Sequence, residues 1–145
     1  MDPIVKERWV TAPPAAVYAH FTDSLRWAAW QGVGATIDAR PGGFFSLRMA
    51  NGMTARGQFV ELLPAKRVVF TWGWIDHSSV PPGSTTVTVD LIPEGDGTVI
   101  RLTHSGLPRE ELGLHAVGWD HYLSRLGQVA VGLDPGPDQG PGSKS

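Results

Sequence analysis

Two histidines are the side chains of this sequence best suited to acid–base chemistry. His104 ends a row of alternating apolar residues, and His115 lies one helical turn before Trp119. Imidazole titrates near neutral pH, so either ring can act as a general base or anchor the carbonyl or hydroxyl group of a ligand. Alternatively, the ring nitrogens of these histidines form hydrogen bonds with backbone groups, and the residues have a structural role only. The sequence leaves both roles open.

The remaining reactive side chains form no catalytic or metal-binding motif. His115 and His121 are six residues apart, so they point to different faces of a helix, and no His-Glu-x-x-His motif is present. His104 and Ser105 are neighbours on a strand and point to opposite faces. Asp90 points away from the apolar face of its strand, and no two carboxylates converge. The absence of cysteine excludes thiolate catalysis and disulfides. We therefore predict no catalytic residue, no metal and no cofactor.

Four aromatic residues form a second candidate site. Trp72 and Trp74 share one face of a strand, and Trp119 and Tyr122 share one face of a helix. Such residues fill cores because of their large apolar area. They also line binding pockets, since each joins an apolar body to a single polar group. The pattern predicts two opposed aromatic rows, which either pack as core or line a cavity.

The strands that position these residues follow one another from Gly32 to His104. Apolar and polar residues alternate through them, and turn sequences such as Asn51-Gly52 and Gly95-Asp96-Gly97 separate them. Short turns between consecutive strands predict an antiparallel meander with one face toward the core. A first strand covers Ile4 to Thr11, and the two prolines that follow favour the start of the first of two short helices.

A long amphipathic helix is predicted after Pro108. Polar residues, among them Arg125, fall on its outer side. Its apolar residues fall within a stripe about 120° wide, made of Leu112, His115, Ala116, Trp119, Tyr122, Leu123, Leu126 and Ala130. We predict a single domain over residues 1–133 and a mobile tail over residues 134–145, which are rich in proline and glycine and show no periodicity.

Together these elements predict an α+β helix-grip fold. A curved antiparallel sheet of about seven strands would wrap around the long C-terminal helix, with two short helices after strand 1. A strongly curved sheet cannot follow a straight helix along its whole length, so a hollow should remain between them. The residues expected to line that hollow are Phe45, Leu47, Trp72, Trp74, Leu102, His104, His115, Trp119 and Tyr122.

Composition and charge exclude several function classes. The net charge is −2 and no run of basic residues occurs, whereas nucleic-acid binding needs a basic face. The N-terminal segment lacks the apolar core of a signal peptide. No apolar stretch approaches the roughly 20 residues needed to span a bilayer. We expect a cytoplasmic protein that binds neither nucleic acid nor membrane.

Several short motifs occur in order along the chain, among them Ala12-Pro13-Pro14, Arg40-Pro41-Gly42-Gly43-Phe44, Gly57-Gln58-Phe59, the segment Pro64 to Trp72, Thr103-His104-Ser105-Gly106-Leu107-Pro108 and Gly118-Trp119. In residue type and order they resemble motifs of the SRPBCC (START/Bet v 1-like) superfamily, in the bacterial branch related to the C-terminal domain of the Hsp90 ATPase activator Aha1. The resemblance implies a helix-grip fold with an apolar cavity for a small hydrophobic molecule. It implies no single activity, because proteins similar in fold include lipid carriers, polyketide aromatase/cyclases and hormone receptors.

The sequence therefore predicts a protein that binds a small hydrophobic ligand between sheet and helix. One alternative is a cyclase- or hydrolase-type enzyme with His104 or His115 as its base, although the absence of a catalytic set argues against an enzyme. Another, implied by the resemblance, is a chaperone-interacting module of the Hsp90-activator kind. Edge strands of such folds often pair, so a homodimer is also compatible with the sequence.

Overall fold

The computed structural model describes residues 3–76 and 79–141. Within these ranges the chain forms one sheet, three α-helices and two short 3₁₀ turns. None of these helices is long and apolar enough to cross a bilayer. The strands are β1 (Ile4–Val10), β2 (Gly34–Ile37), β3 (Phe44–Arg48), β4 (Thr54–Leu63), β5 (Arg67–Trp74), β6 (Thr85–Glu94) and β7 (Gly97–Ser105). The helices are α1 (Pro14–Tyr18), α2 (Ser24–Ala28) and α3 (Leu112–Ala130), and the 3₁₀ turns cover Ala19–Phe21 and Arg109–Glu111.

The seven strands form a single antiparallel sheet. Their order is β1-β7-β6-β5-β4-β3-β2, so β2 to β7 are a meander and β1 adds to the far edge. β1 pairs with β7 with Ile4 opposite His104 and Val10 opposite Thr98. The two short helices follow β1, and α3 follows β7. The helix-grip fold predicted from the sequence is confirmed.

The sheet is most irregular along β4. Its register against β5 shifts between Phe59 and Glu61, which marks a β-bulge and increases the local twist. A Cβ atom at Gly57 would collide with the carbonyl oxygen of Thr71 and with the ring of Phe45. Glycine is therefore required where the backbones of β4 and β5 approach each other above that ring.

An aromatic core fills one end of the space between sheet and helix. Trp27 of α2 is completely buried, and its ring stacks on Phe45 of β3 with 5.2 Å between centroids. Phe45 in turn contacts Phe70 of β5 edge to face, also at 5.2 Å. The fully buried rings of this core are Phe21, Trp27, Trp30, Phe45, Phe59 and Phe70. Three of these rings, Phe21, Trp27 and Trp30, come from the helical segment after β1, which therefore packs its aromatic side chains against the sheet.

Arg125 does not lie on the solvent side of α3 as predicted. It is 7% exposed, and its guanidinium donates hydrogen bonds to the carbonyl oxygens of Trp30 (3.0 Å) and Ala29 (3.3 Å). These carbonyls follow α2, where the last turn of a helix leaves acceptors without intrahelical partners and favours a cation. Arg125 also donates to the carbonyl of Gly136 at 2.8 Å. The prediction was wrong because these partners lie in segments that helical periodicity does not take into account.

Candidate functional site

A cleft of about 560 Å³ opens between the sheet and the N-terminal half of α3. Leu114, Val117 and Met53 at its rim are all exposed, so the cleft is open to solvent. Its volume lies in the range of pockets that hold small organic molecules. The lining residues are Gln31, Met49, Ala50, Asn51, Met53, Trp72, Trp74, Glu111, Leu114, His115, Val117, Gly118, Trp119, Tyr122, Gln139, Gly140 and Pro141.

Five of the residues predicted to line the hollow lie on this cleft. They bring together the aromatic row of β5 and that of α3, as the sequence pattern required. The ring centroids of Trp72 and Trp119 are 5.3 Å apart, and those of Trp72 and Trp74 are 5.5 Å apart at nearly a right angle. The five are Trp72, Trp74, His115, Trp119 and Tyr122.

The other four predicted residues do not lie on the cleft. Phe45, Leu47 and Leu102 are at most 1% exposed and belong to the packed core. His104 is completely buried beside Trp72 and Trp119. The cleft does not extend to these residues, and the Phe45 ring is covered by that of Trp27, with 5.2 Å between their centroids.

His104 is a neutral member of a chain of hydrogen bonds. The indole nitrogen of Trp119, which can only donate, donates to His104 Nδ1 at 2.9 Å. Nε2 must then carry the proton, and it donates to Thr85 Oγ1 at 2.8 Å, which donates to the carbonyl of Trp72 at 2.6 Å. Burial, and to a smaller extent the neighbouring His115, lower the pKa of His104 to about 3. Both nitrogens are in use, so this ring is not placed to accept a proton from a molecule in the cleft.

His115 holds Trp74 in a similar way. The indole nitrogen of Trp74 donates to His115 Nε2 at 3.0 Å. Nδ1 therefore carries the proton and donates to the carbonyl of Glu111 at 2.9 Å, one turn earlier in the chain. The rings of His115 and His104 lie 5.5 Å apart and nearly perpendicular. The two histidines thus serve as acceptors that orient the indoles of the cleft wall.

The segment after α3 forms part of the cleft, which the sequence interpretation did not anticipate. It is held by Asp138, which is 4% exposed. One carboxylate oxygen accepts from the backbone N–H of Gly32 at 2.7 Å. The other accepts from the N–H of Gly140 at 2.9 Å and lies 3.0 Å from His121 Nε2. Burial alone would raise the pKa of Asp138, but the hydrogen bonds from His121 and the two amides outweigh it and hold the pKa below its ordinary value.

The hydrogen bonds of Asp138 bear on the prediction that residues 134–145 form a mobile tail. Residues 139–141 line the cleft, and residues 142–145 lie outside the described ranges. Mobility of residues 134–145 stays a prediction. The sequence carries no local signal for this docking, because the amide at Gly32 that Asp138 accepts from is 106 residues away.

A second depression, of about 590 Å³, lies on the other side of this segment. Arg125 and residues 132–138 form much of its lining, and the guanidinium is already bound to backbone carbonyls. It lacks the opposed aromatic rings of the cleft. The aromatic cleft is therefore the better candidate for a functional site.

Family comparison agrees with the architecture. The model of the family described as "Activator of Hsp90 ATPase homolog 1-like protein" matches residues 11–130. The human activator of 90 kDa heat shock protein ATPase homolog 1 is 30% identical over 119 residues, which cover 81% of this chain and 33% of the human protein. The chain spans about a third of the length of the curated relatives that it matches.

Solved structures show the same fold. An AHSA1-like protein from Rhizobium etli, determined by solution NMR, is 43% identical, with a TM-score of 0.70 over 99% of this chain and 92% of that one. The Aha1 dimer from Colwellia psychrerythraea has a TM-score of 0.80 over 94% of this chain and 98% of that one. Its sequence identity is 20%, so this second likeness concerns the fold alone.

Proposed function

This chain belongs to the family of Activator of Hsp90 ATPase homolog 1-like proteins, and from that premise we propose that it binds a small hydrophobic molecule in the cleft between the sheet and α3. The observation that carries the proposal is the pair of opposed indoles, Trp72 and Trp119, at the wall of an open cleft of about 560 Å³. Large apolar rings around an open cleft are the usual lining of a small-molecule site. The residues proposed to contact the ligand are Trp72, Trp74, His115, Trp119 and Tyr122.

Two helical glycines provide a matched test. A Cβ atom at Gly118, which lines the cleft, would meet only Pro141, at 3.8 Å. A Cβ atom at Gly113, on the same helix, would meet nothing within 4 Å. Leucine is a better helix former than glycine, so either substitution should stabilise α3, by somewhat less than about 1 kcal/mol. Only Gly118→Leu places a side chain in the cleft, so Gly113→Leu controls for the change in helix stability.

The assay is a titration of tryptophan fluorescence with a panel of hydrophobic metabolites. We expect at least one compound to quench the wild-type protein and Gly113→Leu with equal affinity, and to bind Gly118→Leu at least tenfold more weakly. Equal affinity for all three proteins would place the binding site elsewhere. Absence of binding across the panel would contradict the proposed function.

The enzymatic alternative has less support from the site. A cyclase or hydrolase would need a base with a lone pair directed at its substrate, and the acceptor nitrogens of His104 and His115 are engaged by Trp119 and Trp74. If a substrate is found, unchanged turnover in His104→Ala and His115→Ala would exclude these residues as the base. Loss of turnover in one of these variants, with unchanged substrate binding, would support that histidine as the base.

A chaperone contact is the second candidate function. It is favoured by the 30% identity to the human activator, and α3 exposes Leu114 (72%) and Val117 (55%) beside the cleft. The measurement is the ATPase rate of the host's Hsp90 with and without this chain. Stimulation that is lost in a Leu114→Ser/Val117→Ser variant would support the contact, and an unchanged rate with the wild-type chain would contradict it.

The homodimer stays a prediction, which sedimentation equilibrium tests directly.

A further inference from the structure

The segment that follows α3 separates the two depressions of the surface. Residues 134–141, here called the C-terminal strap, line the depression of about 590 Å³ with their first part and the aromatic cleft of about 560 Å³ with residues 139–141. A Cβ atom at Gly118 of α3 would meet the ring of Pro141 at 3.8 Å, so the strap lies close beside the helix. One side of the proposed binding site is therefore built from a segment that belongs to neither the sheet nor α3.

Two side chains hold the strap. Arg125 of α3 donates a hydrogen bond to the carbonyl of Gly136 at 2.8 Å, in the part that lines the other depression. Asp138 holds the part next to the cleft, by accepting from the backbone N–H groups of Gly32 at 2.7 Å and of Gly140 at 2.9 Å. Because Asp138 directly precedes the strap residues that line the cleft, its carboxylate fixes the position of that wall.

The neighbours of Asp138 belong to the cleft or adjoin it. Gly140 lines the cleft, and Gly32 follows the lining residue Gln31, which is 1% exposed. Tyr122 is another lining residue, and burial, followed by the charge of Asp138, raises the pKa of its hydroxyl group. Departure of the carboxylate would therefore deprive the Gly32 amide of this acceptor and remove a negative charge from beside Tyr122, both at the wall of the site.

We propose that Asp138 is a positioning residue of the binding site, because it docks the strap as one wall of the cleft and so couples docking to ligand binding. The coupling rests on the proposed function and assigns to the same site a residue outside the aromatic rows. A ligand in contact with residues 139–141 loses those contacts when the strap undocks, so it binds the docked form more tightly. By linkage, the bound ligand stabilises the docked strap by the same factor.

A purely structural role for Asp138 is the competing explanation. The carboxylate satisfies the amide of Gly32 and ties the strap to the chain between α2 and β2, which stabilises the fold whether or not a ligand binds. Under that explanation the loss of the carboxylate lowers the free energy of unfolding and leaves the affinity for a ligand unchanged. Ligand affinity, and the response of the strap to bound ligand, therefore distinguish the two explanations.

The strap contains a matched control for Asp138. Asp134 also accepts from the backbone N–H two residues ahead, that of Gly136, at 2.8 Å. It is exposed, and it lines the other depression rather than the cleft. Asp134→Asn and Asp138→Asn thus each remove one negative charge from the same segment, and only the second changes the fastening beside the cleft.

The first measurement is the affinity of these proteins for Nile red, a neutral flat dye whose fluorescence rises in apolar surroundings. We expect Asp138→Asn to bind the dye at least about fivefold more weakly than the wild-type protein, which is the lower end of the usual coupling between two sites. Asp134→Asn should bind it with wild-type affinity. Gly118→Leu shows whether the dye occupies the cleft, because its side chain fills the space beside the strap.

A second measurement uses the wild-type protein alone and does not depend on how well a variant folds. Hydrogen exchange of the Gly32 amide is followed by NMR with and without saturating Nile red. The reference is the amide of Gly42, which donates to the Phe59 carbonyl at 2.8 Å outside the lining of the cleft and reports general stabilisation by the dye. We expect exchange at Gly32 to slow at least about fivefold more than at Gly42, because the dye disfavours undocking of the strap.

The possible results separate the coupling from the proposed function. Equal affinity of Asp138→Asn and the wild-type protein, or slowing at Gly32 no greater than at Gly42, would overturn the coupling and leave Asp138 with a structural role only. In either case, weaker binding of the dye to Gly118→Leu would still support the proposed function. No binding of Nile red, or binding that Gly118→Leu does not weaken, would contradict a ligand site beside the strap, and the metabolite panel would then decide the proposed function.

Discussion

Mild acid should destabilise this protein through His104. In the folded chain the ring is buried and neutral, with a pKa lowered to about 3. In the unfolded chain the pKa returns to about 6.5. Between these values the unfolded state binds more protons than the folded state, so the free energy of unfolding falls as the pH falls. The contribution is fully present above about pH 6.5 and is lost progressively toward pH 3.

The size of the loss follows from the two pKa values. At pH 5 the ratio of protonated to neutral His104 is about 30 to 1 in the unfolded chain, while the ring is still neutral in the folded chain. The free energy of unfolding should therefore be about 2 kcal/mol lower at pH 5 than at pH 8. At pH 4 the loss reaches about 3 kcal/mol. The lowered pKa of Asp138 acts in a lower range, because a carboxylate titrates below pH 4.

The test compares urea unfolding of the wild-type protein with that of His104→Asn, followed by far-UV circular dichroism from pH 8 to pH 5. Asparagine keeps an acceptor within reach of the Trp119 N–H but does not titrate. His20, whose pKa is lowered mainly by burial, is retained in both proteins and adds the same pH dependence to each. We expect the loss between pH 8 and pH 5 to be about 2 kcal/mol smaller in the variant. Parallel pH profiles, with unchanged dependence on urea, would refute the assignment of a buried neutral His104.

Two further predictions concern the other buried hydrogen bonds. Trp119→Phe should cost about 1–3 kcal/mol more than Trp72→Phe in urea unfolding, because it leaves His104 Nδ1 buried without a donor, whereas the Trp72 N–H has no partner among the described residues to lose; equal losses would contradict the hydrogen-bond assignment. Asp138→Asn should lower the free energy of unfolding by about 1–3 kcal/mol and speed hydrogen exchange of the Gly32 amide, because the variant is no longer a charged acceptor. An unchanged exchange rate would show that residues 134–141 do not dock as described.

The sheet and the long helix could be predicted because their signals are local. Alternation along Val87, Val89 and Leu91 directs these residues to one face, and all three are buried. Asn51-Gly52 lies in the turn between β3 and β4. The helical spacing of Trp119 and of the apolar residues around it likewise marked the face that α3 buries. The period of the apolar residues and the residue types at the turns are each set by a few neighbouring residues. They are sufficient to predict these elements.

The extent of the cleft could not be predicted, because it depends on contacts between distant segments. Helices α1 and α2 have five residues each, which is too short for a periodic pattern to show where their side chains point. Nothing local indicated that Trp27 would stack on Phe45. The burial of Arg125 and Asp138 likewise depends on partners in other segments of the chain, which neither helical periodicity nor the composition of the proline- and glycine-rich segment indicates.

The two histidines explain why the wall of the cleft should keep its shape when it is empty. Rotation of Trp119 or Trp74 would leave an indole N–H and an imidazole nitrogen without partners, at a site where His104 is completely buried. A wall held in this way does not have to be ordered by the ligand, so less of the binding free energy is lost on association. The hydrogen bonds that occupy the histidine lone pairs, and so disfavour proton transfer, are therefore the same ones that preform the apolar wall at which we propose that a ligand binds.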